Sequence, residues 1–213
     1  MSLFVPTVVH ATPADSASST TEAKRVEETV ISASTSDEPL TQSATRSSSS
    51  VSLDDDGIAT LVTNDPDDYA SIDIDNEVSA GLSLADASVV EEGTVAPDGT
   101  TVFPVKDSDD AYAFQIHESG SISASAITTS SQSSQTFAYS LSNGITPVVQ
   151  KTGAVALYEG EVLVGIVEHP EARDAAGRDV PSSYSVVDGD LVQSVHPSVD
   201  TTYPLVTTAK IGV

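Results

Sequence analysis

The chain has 213 residues and carries 32 Asp plus Glu against 8 Lys plus Arg, a formal net charge of −24. That length can bury a core that folds without metal or disulfide support, and the absence of cysteine excludes thiolate zinc sites, iron–sulfur clusters, thiol nucleophiles and disulfides. Neutralising phosphate takes clustered Lys and Arg, yet between Asp54 and Gln150 the sole fixed positive charge is Lys106, which excludes nucleic acid and anionic lipid surfaces as partners.

At the start, Leu3-Phe4-Val5-Pro6-Thr7-Val8-Val9-His10-Ala11 has the texture of the end of a signal-peptide apolar region, with small residues for cleavage but no basic segment before it. Residues 1–14 are therefore expected to be the remnant of a truncated export signal, the alternative being a plain apolar tail. Residues 15–57 are Ser/Thr-rich and lack aromatics, a composition that cannot offset ordering entropy by burial, so a disordered stalk is expected there. Within it, Ala23, Val26, Val30 and Ile31 have roughly helical spacing in a stretch too short to be stable alone. Such a stalk is either an O-glycosylated spacer or an unmodified tail, the second being the commoner case.

From residue 58 to 213 short β-branched and aromatic runs alternate with turn residues, which predicts an all-β or mainly β, sandwich-like body of short antiparallel strands and hairpins, divided into two subdomains near 150. Strands are expected at 58–63, 70–74, 101–105, 111–117, 121–128 and 136–141. In the fourth of these Tyr112, Phe114 and Ile116 fall on one face and Ala113 and Gln115 on the other. The stretch 78–90 fits neither the strand nor the helix period cleanly. Further on, residues 154–158 and 161–166 flank Glu159-Gly160, and a two-residue turn there sets Leu157 opposite Val162 and Val155 opposite Val164. A second hairpin is expected around Asp188-Gly189, a pair suited to the positive φ angles of a type I′ turn, with Val186 opposite Leu191. Between the hairpins, Ala175-Ala176-Gly177 and Pro181 mark a loop. The chain has no apolar run of about 18 residues, so no membrane-spanning helix is expected.

The segment Ala172-Arg173-Asp174-Ala175-Ala176-Gly177-Arg178-Asp179-Val180-Pro181-Ser182-Ser183-Tyr184-Ser185-Val186, followed by Leu191-Val192-Gln193-Ser194-Val195-His196 and Tyr203-Pro204-Leu205-Val206, resembles a cassette of uncharacterised secreted actinobacterial proteins. The similarity extends back to the hairpin at 154–166, covering about residues 154–206, and similar cassettes precede YD-repeat regions in large exported proteins. The resemblance implies an exported protein of a Gram-positive cell and supplies no catalytic residue. Members of that group continue past the Tyr-Pro motif with Ala-Asp-Pro and a further region, sometimes toxin-like, where this chain has Thr207-Thr208-Ala209-Lys210; an effector function is therefore not expected.

Few constellations can carry chemistry. No Gly-x-Ser-x-Gly elbow is present, and Gly81-Leu82-Ser83-Leu84-Ala85 lacks the last glycine. His117, His169 and His196 lie far apart and form no His-Glu-x-x-His pattern. Phosphate-cradling and dinucleotide-binding glycine loops are also absent, so no cofactor is expected. Calcium needs several hard oxygens in a tight loop, and Asp65, Asp67 and Asp68 with Asp73, Asp75 and Glu77 could place carboxylates around one ion. Asp107, Asp109 and Asp110 form a third acidic run. None follows EF-hand spacing, and a solvated acidic surface, of an exported or a salt-adapted protein, is the favoured reading of all three. The chain is thus expected to be a non-enzymatic exported module, with an unknown extracellular or cell-envelope partner. The alternatives are a secreted antagonistic factor or its propeptide, and a secreted hydrolase.

Overall fold

The computed structural model describes residues 13–33, 38–75 and 77–213, with side chains from residue 19 onward. The expected signal remnant lies outside them, apart from residues 13 and 14. In chain order the elements are helix α1 (Pro13–Ala33) and strands β1 (Thr45–Arg46), β2 (Ser50–Asp55), β3 (Ile58–Thr63), β4 (Ala70–Ile74), β5 (Val78–Leu84), β6 (Thr94–Val95), β7 (Thr101–Pro104), β8 (Ala111–Ile116) and β9 (Ile122–Thr128). Strands β10 (Thr136–Leu141), β11 (Ile145–Val149), β12 (Val155–Glu159), β13 (Val162–Val167), β14 (Glu171–Asp174), β15 (Ser182–Val187), β16 (Asp190–Val195) and β17 (Leu205–Gly212) follow. One short 3-10 turn, Ala87–Val89, interrupts the strands. The ambiguous stretch 78–90 thus splits into β5 and this turn.

Two antiparallel sheets result. The first runs β1-β2-β3-β4-β5-β10-β16-β15 and the second β11-β12-β13-β17-β9-β8-β7-β6, with β14 also paired to β17. The body is mainly β, as the alternating pattern predicts. Strands from either side of residue 150 interleave in both sheets, so a boundary between subdomains near 150 does not form. The apolar faces of the two sheets share one core, built on Ile72, Leu82, Tyr139 and Leu191 from the first and Ile122, Leu157, Leu205 and Ile211 from the second. Phe103 and Phe114 meet edge to face in it, 5.6 Å apart. Strand β8 keeps its expected alternation: Phe114 and Ile116 enter this core with Tyr112 packed against it, while Ala113 turns to the opposite face.

That opposite face is covered by α1. Ala23, Val26 and Val30, spaced for one side of a helix, pack against Ala96, Val102, Ala111, Ala113, Ile127 and Val206. Among the described residues regular structure is present from Pro13 onward, and the expectation of a disordered stalk over 15–57 is corrected for them by α1, β1 and β2. The reason is tertiary. Ser- and Thr-rich sequence has little helical stability of its own, but the small residues of the sheet let the helix approach closely and bury its Ala/Val stripe. Beyond the helix, Leu40 bridges to His117, and Thr41 donates its backbone N–H to the Ile116 carbonyl at 3.1 Å.

The last hairpin has the register the sequence predicts: Val187 pairs with Asp190 and Val186 with Leu191. Asp188 and Gly189 both have positive φ, 53° and 98°, as a type I′ turn requires. Gly189→Val is expected to destabilise the protein by about 1–2 kcal/mol, because a β-branched residue is strained in that backbone region; Ser185→Thr on the neighbouring strand should change little. Denaturant midpoints compare the two, and an unchanged midpoint for Gly189→Val would contradict the turn.

The first hairpin is corrected in register. Its turn is Gly160-Glu161, with Gly160 at φ 61°, so Glu159 pairs with Val162 and Tyr158 with Leu163. A bulge beside Leu157 absorbs Val164, after which Leu157 faces Gly165 and Val155 faces Val167. The extra residue turns both Leu157 and Val164 inward and leaves Val162 and Leu163 exposed.

Candidate functional site

The fold brings one serine and one histidine together. His117 Nε2 lies 2.7 Å from Ser123 Oγ, and its Nδ1 lies 3.3 Å from the Glu38 carbonyl oxygen. The arrangement resembles a nucleophile and base, but Ser123 is only 4% exposed and His117 2%, so a substrate has no access to the pair in this conformation. Burial, with help from nearby Lys210, holds the imidazole below its ordinary value and favours the neutral form. The Glu38 carboxylate accepts hydrogen bonds from Lys210 Nζ at 2.6 Å and from the Ser119 N–H at 2.8 Å. This is a seam that ties the segment after α1 to β8, β9 and β17. His169 and His196 lie elsewhere on the chain, in connections outside the strands.

Burial pushes the Glu38 carboxyl up, but bonds from Lys210 and Ser119 outweigh it and bring it down to about 2, from an ordinary 4.5. A depressed carboxylate contributes stability that is full above its unfolded value and is lost as pH falls through the folded one. The stability gap between wild type and Glu38→Gln should therefore be constant above about pH 5 and close between pH 4.5 and 2. Urea midpoints measured across that range check it. A gap that persists undiminished at pH 2 would contradict the seam's ionic character.

The acidic residues singled out for calcium do not converge. Asp65, Asp67 and Asp68 lie in the β3–β4 loop, whereas Asp73, Asp75 and Glu77 lie at the far end of β4, a five-residue strand that separates the groups by about 17 Å. Asp68 accepts from Thr63 Oγ1 at 2.9 Å and Asp65 from the Asp67 N–H at 3.0 Å, so two of the carboxylates stabilise their own loop. Among the described residues no group of three or more acidic or histidine side chains is arranged to hold a metal.

The 154–206 cassette proves to hold a structural hub. The buried Asp174 carboxylate accepts from the backbone N–H groups of Ala176, Arg178 and Thr202 and from the Arg178 guanidinium. The Arg178 hydrogen bonds, aided by those from the backbone, hold Asp174 well below the usual carboxylate range against the opposing effect of burial. Gly177 at φ 74° closes the tight loop around it. On β16, Gln193 is buried and donates to the Glu171 carbonyl at 3.0 Å, joining the first sheet to the second.

An accessible cavity opens where the two sheets part. Strands β5 and β10 of the first sheet and β8 and β9 of the second end together there, and the loops 85–89, 106–110 and 129–135 surround the mouth. The space measures about 430 Å³ and is lined by Leu84, Val105, Tyr112, Ala126, Ile127 and Phe137 among others, with Asp86 and Asp110 at its polar edge. Tyr112 and Phe137 meet edge to face across the gap between the sheets, ring centres 6.3 Å apart. Burial, then the fields of Asp110 and Asp86, raise the Tyr112 phenol above its ordinary value, so it stays protonated at neutral pH. Asp110 Oδ1 is fixed by the Thr129 N–H, Thr129 Oγ1 and Ser133 Oγ. An apolar, aromatic-lined hollow of this size with a few placed polar groups is suited to hold a small molecule.

Sequence reasoning did not find this cavity. The sequence places Tyr112 on one face with Phe114 and Ile116 and puts Asp110 in the third acidic run, but Asp86, Asp110 and Phe137 come from three separate stretches that nothing local in the sequence connects. By fold the chain is a two-sheet antiparallel sandwich with a helix on the outside of one sheet and a cavity at one end. No protein-family profile, curated protein or solved structure is detectably similar to it.

Proposed function

We propose that this chain is an exported, non-enzymatic binding module whose binding element is the cavity between the sheets. The observation that carries the reading is the cavity itself: it joins an apolar, aromatic lining to an open mouth between two sheets that are otherwise closely packed. Rigid sheets supply the lining and loops supply the rim, the usual division between scaffold and binding surface. Export is supported by the apolar segment over residues 3–11, the acidic composition and the resemblance of residues 154–206 to secreted actinobacterial proteins. The buried state of the His117–Ser123 pair favours binding over hydrolysis.

Binding is tested with a neutral apolar dye such as Nile red. Saturable binding is expected for the full chain and is expected to be lost in Ala126→Phe, which fills the cavity from a lining position paired with Tyr112 on the inner face of the second sheet. Absence of saturable binding, or binding indifferent to Ala126→Phe, would overturn the cavity as the binding element. Fractionation of the producing cells tests export, and a protein confined to the cytosol would overturn that half.

A further inference from the structure

Building on that reading of the cavity, we infer that its ligand is a small organic cation, with the charged head between Asp86 and Asp110 and an apolar part running inward over Tyr112 and Phe137. The first argument is the state of the two carboxylates. Asp86 Oδ1 accepts from the N–H and hydroxyl of Ser88, and Asp110 Oδ1 accepts from Thr129 N–H, Thr129 Oγ1 and Ser133 Oγ at 2.8–3.0 Å. In both residues Oδ2 has no hydrogen-bond partner among the described residues. Each side chain is thus anchored through one oxygen at the edge of the cavity, and the other oxygen is left for a ligand.

The second argument is charge. No lysine or arginine lines the cavity, and Lys106, from the adjoining loop, donates its ammonium to the Ser88 carbonyl at 2.8 Å in a neighbouring open groove. An anionic head would meet two carboxylates on a chain of net charge −24, whereas a cation is attracted by both. The third is the lining. An ammonium group near the mouth also lies close to Tyr112, whose ring is of the kind that attracts cations at its face, and about 430 Å³ of space accommodates an alkyl or aryl body behind it.

The test is calorimetric titration of the full chain with three probes of matched tail, each below its micellar concentration: octyltrimethylammonium, octyl glucoside and octyl sulfate. The cation is expected to bind at least tenfold more tightly than the neutral glucoside, and the sulfate not at all. Asp86→Asn with Asp110→Asn keeps an acceptor oxygen for each loop; it should abolish that preference, so that cation and glucoside bind with similar affinity. Asp107→Asn with Asp109→Asn removes the same charge outside the cavity lining and should leave the preference intact. Equal affinity for cation and glucoside, or a preference that survives loss of Asp86 and Asp110 but not of Asp107 and Asp109, would overturn the inference. In those cases the cavity remains a binding element if Ala126→Phe still blocks the probes, whereas a wild-type chain that binds none of them would overturn both readings.

Discussion

Replacing Val26 by aspartate is expected to detach α1 from the second sheet, with loss of the helical signal in circular dichroism and new protease cuts within residues 19–33. Val26 is 0% exposed at the centre of the helix interface, and an ionised carboxylate buried there without a partner costs several kcal/mol. A 21-residue helix rich in Ser and Thr has too little stability of its own to survive that loss. Ile31→Asp puts the same charge on the same helix at a position 51% exposed and should be tolerated. If Val26→Asp leaves helix content and protease resistance unchanged, the docking of α1 is wrong.

Leu191→Ala is expected to lower global stability by about 2–5 kcal/mol, the range for truncating a buried leucine. The side chain is 0% exposed, on a strand paired on one side with β10, where its partner is Tyr139, and on the other with β15, where it is Val186. The cost comes from lost burial plus a cavity that flanking sheets cannot readily collapse into. Val187→Ala, 51% exposed on the next strand, should stay within about 0.5 kcal/mol. Urea midpoints distinguish them, and equal midpoints would mean that Leu191 of β16 does not face the core between the sheets.

The strands were legible because their signals are local. Period-2 alternation in Tyr112-Phe114-Ile116 and the Asp188-Gly189 dipeptide carry their structural consequence within a few residues, and both appear where the pattern places them. The Gly160 hairpin shows the limit. Its apolar run fits two registers, and the bulge that selects one depends on Val164 finding room in a core that the sequence does not display. Helix α1 was missed as an ordered element because its Ala23, Val26 and Val30 stripe is meaningful only against Ala113, Ile127 and Val206, roughly a hundred residues or more along the chain. The cassette at 154–206 drew notice through its residues, and the structure assigns Asp174 and Gly177 to holding a loop. The candidate site was the least legible part. Asp86 stands apart from the acidic runs that composition emphasises, Asp110 ends the third of them with nothing local to link it to a cavity, and the two aromatic rings come from opposite sheets.

The most direct test of the chain as a binding module is an amide and methyl NMR map of the isotopically labelled protein, titrated with octyltrimethylammonium. Shifts confined to Tyr112, Ala126, Phe137 and the loops carrying Asp86 and Asp110 are the expected result. Shifts confined instead to the exposed apolar side chains of β11 and β13, Val148, Leu163 and Ile166, with the cavity resonances unmoved, would contradict it.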